Sequence, residues 1–148
     1  MADFIKQSWV FPAVQSIHLI GLTMLVGSIC LVDLRILGVG KRQAVSDLAS
    51  SLAPWTFRGL LIVVITGPLM FWSDLARYVI NPAFLLKMGL LAVTLILHFT
   101  LHRRVIRVSS ATSTISSGQK LAAALSLILW SSIVLAGRAI ADFDIRAV

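Results

Sequence analysis

Charged residues are scarce in this chain of 148 residues, and cysteine occurs only once. Only 13% of the residues are charged, whereas 58% are hydrophobic, and the mean hydropathy is +0.95. A typical soluble domain has about 25% charged residues, so this composition predicts an integral membrane protein with a single domain, residues 1–148. The lone Cys30 excludes an intrachain disulfide and a thiolate metal cluster.

The motifs of soluble enzymes are also missing. The chain has no glycine-rich phosphate loop, no nucleophile elbow and no HExxH metal-binding helix. Any redox or transfer chemistry would therefore come from a bound cofactor. The net charge of +7 does not indicate nucleic-acid binding, because the basic residues cluster between apolar segments and form no basic face with interleaved aromatics.

Four apolar segments predict an all-α protein, an integral membrane four-helix bundle in the lipid bilayer. Residues 1–11 are short and amphipathic, which predicts an interfacial segment rather than a cleaved signal. A helix of about 20 apolar residues crosses the roughly 30 Å hydrocarbon layer. The predicted spans cover residues 12–37, 55–72, 84–104 and 121–141.

Two features mark the second predicted span and the segment before it. Residues 38–54 are polar and predict a connection, and Trp55 and Trp72 bracket the span as interfacial anchors do. Within it, Thr66-Gly67-Pro68 predicts a kinked helix, since proline removes a backbone hydrogen bond.

Basic residues near the span ends predict the topology. Eight lysines and arginines flank the first and third connections, whereas five lie on the other side. Cytoplasmic loops carry the excess of basic residues, so both termini are predicted outside. Asp33 and Arg35, near the end of the first span, are interpreted as structural residues that snorkel or pair with loops.

As far as Leu101, the third predicted span contains two ionisable residues, Lys87 and His98. Ionisable groups within a membrane span are costly, and by default they indicate a functional site that faces the bundle interior. They are eleven residues apart, close to three helical turns, so they share one helix face with Leu91 and Thr94 between them.

The first predicted span contains His18. Gly21, three residues further on, continues the same face with Leu25 and Ser28. These small residues leave room for a flat cofactor, and they also suit close helix packing through Gly21, Gly27 and Ser28; the two interpretations are compatible.

Histidine in such positions suggests haem or metal ligation, because imidazole is a common axial ligand of haem iron and a ligand of zinc or copper. Counted from the starts of their spans, His18 and His98 differ in depth by roughly 12 Å, whereas Lys87 lies near the depth of His18. We therefore expect His18 and Lys87 to act together as a ligand and a cation for a carboxylate. Two structural alternatives remain: a histidine that only hydrogen-bonds a neighbouring helix, and a lysine that snorkels. His102, beside two arginines, is interpreted as interfacial.

The combination of IHLIGLTMLVG, ITGPLMF and the spacing from Lys87 to His98 resembles a superfamily of small four-helix bacterial membrane proteins. This superfamily includes the HemJ-type protoporphyrinogen oxidases and the CopD-type copper-resistance domain. The resemblance implies haem b as cofactor, and it implies that His18 and His98 match the family's histidines, the candidate metal ligands, and that Lys87 matches its lysine. Gly21 is predicted beside the cofactor because it lies next to His18 on the same helix face. The predicted location is the bacterial inner (cytoplasmic) membrane.

The chain departs from the HemJ pattern at LTMLVGSICLVDLRILG and at GQKLAAALSLILW. The prediction is therefore a haem b-binding membrane protein that transfers electrons, with a quinone as a candidate redox partner, or that serves as a membrane subunit of a redox assembly. The alternatives are a HemJ-like oxidase acting on a porphyrin, CopD-like copper handling, and a non-redox structural subunit. Small-residue faces also predict a homo-oligomer or a partner membrane subunit.

Overall fold

The computed structural model describes residues 9–40, 44–73, 75–109 and 115–142. These residues form five helices: α1 (Val10–Leu37), α2 (Val45–Ser73), α3 (Leu75–Ile80), α4 (Pro82–Ser109) and α5 (Ser117–Asp142). No strand occurs within these ranges, so the predicted all-α class is confirmed. Most of the predicted interfacial segment, residues 1–8, lies outside the described residues.

Three helices are long and apolar enough to cross a membrane: α1, α2 and residues Ser117–Ile140 of α5. The described apolar part of α4, Pro82–His98, is shorter. The outward faces of the helices carry large apolar side chains, which are exposed along most of α2. Trp55 and Trp72 are among the exposed residues, as expected for anchors at an interface. Apolar helices with apolar outer faces indicate a membrane protein.

α2 is longer than predicted, because residues 45–54 are helical rather than part of a connection. Val45 and Ala49 lie one turn apart and pack on Val32 and Ile36 of α1, so tertiary packing extends the helix toward its N-terminus. Asp47 in the first turn also suits the positive end of the helix dipole. The helix continues through both of its prolines.

α1 occupies the centre of the arrangement: it packs against α2 on one side and α5 on the other, and α4 packs against α5. Leu25, Ile29, Trp130 and Ile133 form a core cluster between α1 and α5. We call the two ends of the molecule the His18 end and the Asp33 end, after the buried polar residues of α1 nearest to them.

α1 and α2 pack closely because two glycines face each other. A Cβ atom added to Gly59 would lie 2.6 Å from the backbone nitrogen of Leu25 and 2.8 Å from the carbonyl oxygen of Gly21. Ser28 and Thr56 join the same helices through a 2.7 Å hydrogen bond. The predicted close packing is therefore confirmed for Gly21 and Ser28, but no described residue of another helix has an atom within 4 Å of the Cβ position of Gly27.

Asn81 holds the start of α4 in place. Its Oδ1 accepts hydrogen bonds from the backbone N–H groups of Ala83 (3.0 Å) and Phe84 (3.2 Å), as an N-cap residue does. Its Nδ2 donates to the carbonyl of Ile140 at 3.1 Å, near the end of α5. This buried side chain thus sets the position of α4 against α5, and with it the level of Lys87.

Candidate functional site

His18 is buried and hydrogen-bonded across the interface between α1 and α2. Its Nδ1 lies 2.7 Å from Oγ1 of Thr66. The same oxygen lies 2.6 Å from the carbonyl oxygen of Ile62, one turn earlier on α2. The three residues therefore form a chain of hydrogen bonds from a ring nitrogen to a backbone carbonyl.

This chain determines which ring nitrogen of His18 carries the proton. The Ile62 carbonyl can only accept, so the single hydroxyl hydrogen of Thr66 points toward it. Nδ1 of His18 must then donate to the threonine oxygen. In the neutral ring this leaves Nε2 with a free lone pair, which is the form that binds a metal ion.

Gly67 lies next to the His18 ring. A Cβ atom at this position would be 3.7 Å from Cε1 of His18, the ring carbon between the two nitrogens. Any larger residue would therefore be in contact with the ring beside Nε2. Thr66 and Gly67 together orient the ring and leave space next to it, which is a more specific role than the predicted kink.

Lys87 extends across the surface of α5 near the His18 end. Its Nζ lies 3.5 Å from the position of a Cβ atom on Gly137, so the missing side chain of that glycine makes room for the lysine. The lysine charge acts electrostatically on the His18 ring, which places the two groups in one region. Within the described part of the chain, the Lys87 ammonium has no ion pair or hydrogen bond.

His98 lies at the opposite end of the molecule. It lines a cavity together with Asp33 and Ile36 of α1, which follow His18 by 15 and 18 residues. At about 1.5 Å per residue, these positions are roughly 22 to 27 Å from His18 along the helix. This separation is larger than the predicted offset, and it puts the two histidines beyond the reach of one metal ion.

The predicted common face of α4 is present. Lys87 lies over the position where Gly137 lacks a side chain, Leu91 packs against the cluster around Trp130, and Thr94 is buried. Thr94 and His98 both line the cavity near α5. The whole face is thus turned toward α5 and follows it in the antiparallel direction. The side chain of His102 lies outside the described residues.

Gly21, the predicted small neighbour of His18, contacts α2. A Cβ atom on Gly21 would lie 2.6 Å from Cγ2 of Ile62, so the space beside this residue is filled by a protein side chain. The open position next to the histidine ring is at Gly67 instead. Asp33, interpreted from the sequence as a boundary residue, is also placed differently: it is buried and lines the cavity.

These helices and side chains define a small helical membrane protein with an interior histidine–threonine pair and a neighbouring lysine. The chain belongs to a family of unknown function, DUF6644, whose model matches residues 8–143. No curated protein and no solved structure matches the chain. The family match assigns no activity, so the resemblance to HemJ-type and CopD-type proteins stays a prediction.

Proposed function

We propose that this protein is a four-helix membrane protein that binds a b-type haem through Nε2 of His18. The observation that supports this proposal best is the hydrogen-bond chain from His18 through Thr66 to Ile62. Metal-binding histidines usually donate their other N–H to such a partner, which fixes the ring orientation and the tautomer. The ring of His18 is therefore held in the tautomer in which Nε2 could bind the haem iron.

The Lys87 ammonium also supports this proposal. A half-buried ammonium without an anionic partner among the described residues is costly in a membrane interior. A haem propionate would supply that partner. The Lys87 side chain, held over Gly137, would orient the cofactor by pairing with the carboxylate, and its charge would favour the ionised form of the propionate.

The bound haem would supply one-electron chemistry, and the protein would act as an electron-transfer protein or as a membrane subunit of a redox assembly. A quinone is the expected redox partner within the bilayer. Because His98 lies at the opposite end, this chain would offer His18 as its single histidine ligand at this site. We propose that the protein crosses the bacterial inner membrane several times, with both termini outside. We also propose that it forms a homo-oligomer or assembles with a partner membrane subunit.

Lys87, which has no ion pair among the described residues, also supports a second function, a HemJ-like oxidation of a porphyrin, because it could hold a carboxylate of the substrate. Copper handling has less support: the described residues contain no group of three or more histidine, cysteine or acidic side chains that could hold a metal ion. A haem needs only one or two protein ligands, so the same observation does not bear on it. If the protein is instead a non-redox structural subunit, the hydrogen bond between His18 and Thr66 would serve only to join α1 and α2.

The test is a reduced-minus-oxidised absorption spectrum of the full chain purified in detergent, with a pyridine haemochrome assay and metal analysis. We expect a b-type spectrum with near-stoichiometric haem. His18→Ala should remove the haem signal while membrane insertion is retained, and His98→Ala, at the other end, should keep it. Full haem occupancy in His18→Ala would rule out ligation by His18.

A second pair of variants tests the lysine. Lys87→Met should weaken haem retention if the ammonium pairs with a propionate, whereas Lys120→Met removes an exposed charge on α5 and should have no effect. A porphyrinogen oxidation assay on the same samples separates the oxidase from the electron-transfer function. A colourless, metal-free protein would refute both the haem and the copper proposals and leave the structural subunit.

A further inference from the structure

A cavity of about 70 Å³ with a mainly apolar lining lies at the Asp33 end, between α1, α4 and α5. Asp33, Thr94 and Ser126 contribute polar side chains to its wall, and His98 and Gln119 complete the polar lining. Its lining, drawn from the described residues, includes no lysine or arginine. Among the described residues of the cavity wall, no lysine or arginine therefore lies beside the Asp33 carboxylate.

Two oxygen atoms of this cavity are buried without a hydrogen-bond partner. Asp33 is 8% exposed and Thr94 is 1% exposed. Neither Oδ2 of Asp33 nor Oγ1 of Thr94 has a partner within the described part of the chain. The Ser126 hydroxyl donates a hydrogen bond to the Asp33 carboxyl group, so the carboxylate is only partly satisfied. Buried polar atoms without a protein partner are rare in native proteins, and a bound water or ion is one of the usual reasons.

We propose that this cavity binds a small monovalent cation of the Na⁺ class, with Oδ2 of Asp33 and Oγ1 of Thr94 as ligands. Carboxylate and hydroxyl oxygens suit hard cations rather than soft ones. A single carboxylate neutralises a single positive charge, whereas a divalent ion would leave a net charge in a poorly solvated site. The cavity volume exceeds that of one water molecule, about 30 Å³, so water can complete the coordination.

The position of the cavity gives the ion access from water. Ile36 is the second-last residue of α1 and Gln119 is the third residue of α5, so both lie close to helix ends. An ion can therefore enter without crossing the apolar centre of the molecule. The site lies roughly 22 Å along α1 from His18, so this inference does not depend on the proposed haem function.

The experiment compares thermal unfolding of the full chain in detergent micelles, followed by tryptophan fluorescence, in NaCl and in choline chloride at equal ionic strength. We expect Tm to rise with the logarithm of the Na⁺ concentration above Kd, by about 5 °C or more at a hundredfold excess over Kd. Asp33→Asn should abolish the Na⁺-dependent shift, and Thr94→Val should reduce it. Asp47→Asn, which removes an exposed carboxylate on α2, should keep it in full.

Equal Tm values in the two salts would overturn the proposal and indicate a cavity that holds only water. A full Na⁺-dependent shift in Asp33→Asn would overturn it as well. If Asp33→Asn does not fold, equilibrium binding of radioactive Na⁺ to the unaltered protein and to Thr94→Val decides the question. We expect one site per chain in the unaltered protein and weaker binding in the variant, whereas no saturable binding would refute the site.

Discussion

The hydrogen bond between His18 and Thr66 can be tested with one isosteric substitution. Thr66→Val keeps the volume of the side chain but removes the oxygen that accepts the Nδ1–H of His18. A buried donor left without a partner costs about 1–3 kcal/mol in soluble proteins, whereas hydrogen bonds between membrane helices average about 0.6 and reach about 1.7 kcal/mol. Because the interface is within a membrane protein, we expect a loss of roughly 0.5–1.5 kcal/mol in the free energy of unfolding.

The control is Thr23→Val on α1. Thr23 is exposed and its hydroxyl bonds only to the Leu19 carbonyl of its own helix, at 2.9 Å, so its loss should change stability little. Reversible unfolding in mixed detergent micelles measures both variants, and Thr66→Ser should restore most of the loss. Nitrogen-15 NMR of the His18 ring gives an independent result: the neutral ring should carry its proton on Nδ1. Equal stability of the two valine variants, together with a proton on Nε2, would refute the reasoning.

Three further substitutions test the helix contacts that position the site. Gly59→Ala places a methyl group against the backbone of α1 and should destabilise the protein by about 1–3 kcal/mol, whereas Gly27→Ala, in open space, should be neutral or slightly stabilising in the same unfolding assay. Asn81→Ala removes the cap of α4 and its bond to α5 and should cost about 1–3 kcal/mol; an unchanged unfolding midpoint would contradict this role. Gly137→Val should displace Lys87 and weaken haem retention as strongly as Lys87→Met does, without removing the charge. Full haem retention in Gly137→Val would show that the position of the lysine does not affect haem binding.

The two polar regions of the molecule lie at opposite ends of α1. His18 has its partner Thr66 on α2, whereas Asp33 shares its cavity with Thr94 and Ser126 of α4 and α5. The apolar cluster around Leu25 and Ile29 fills the space between them. A cofactor at the His18 end and a cation at the Asp33 end would therefore occupy separate sites, and the variants at one end should leave the other unaffected.

Much of the architecture follows from local patterns. Apolar segments of membrane length predict helices, and the spacing of Lys87, Leu91, Thr94 and His98 predicts their common face, which the structure confirms. The ends of the helices were less predictable. Residues 45–54 include three serines, an aspartate and a proline, yet they are helical because Val45 and its neighbours pack on the end of α1, a contact between residues distant in sequence.

The sequence by itself determined that this is an apolar, all-helical chain, and it marked His18, Lys87 and His98 as ionisable residues within apolar segments. Only the tertiary structure decided which of them share a site. Helical periodicity orders residues along one helix but does not set the vertical offset between helices, which depends on contacts such as Gly21 with Gly59 and Asn81 with α5. Those contacts place Thr66 beside His18 and separate His98 from both, because side-chain packing, rather than local propensity, sets the register of helices against one another.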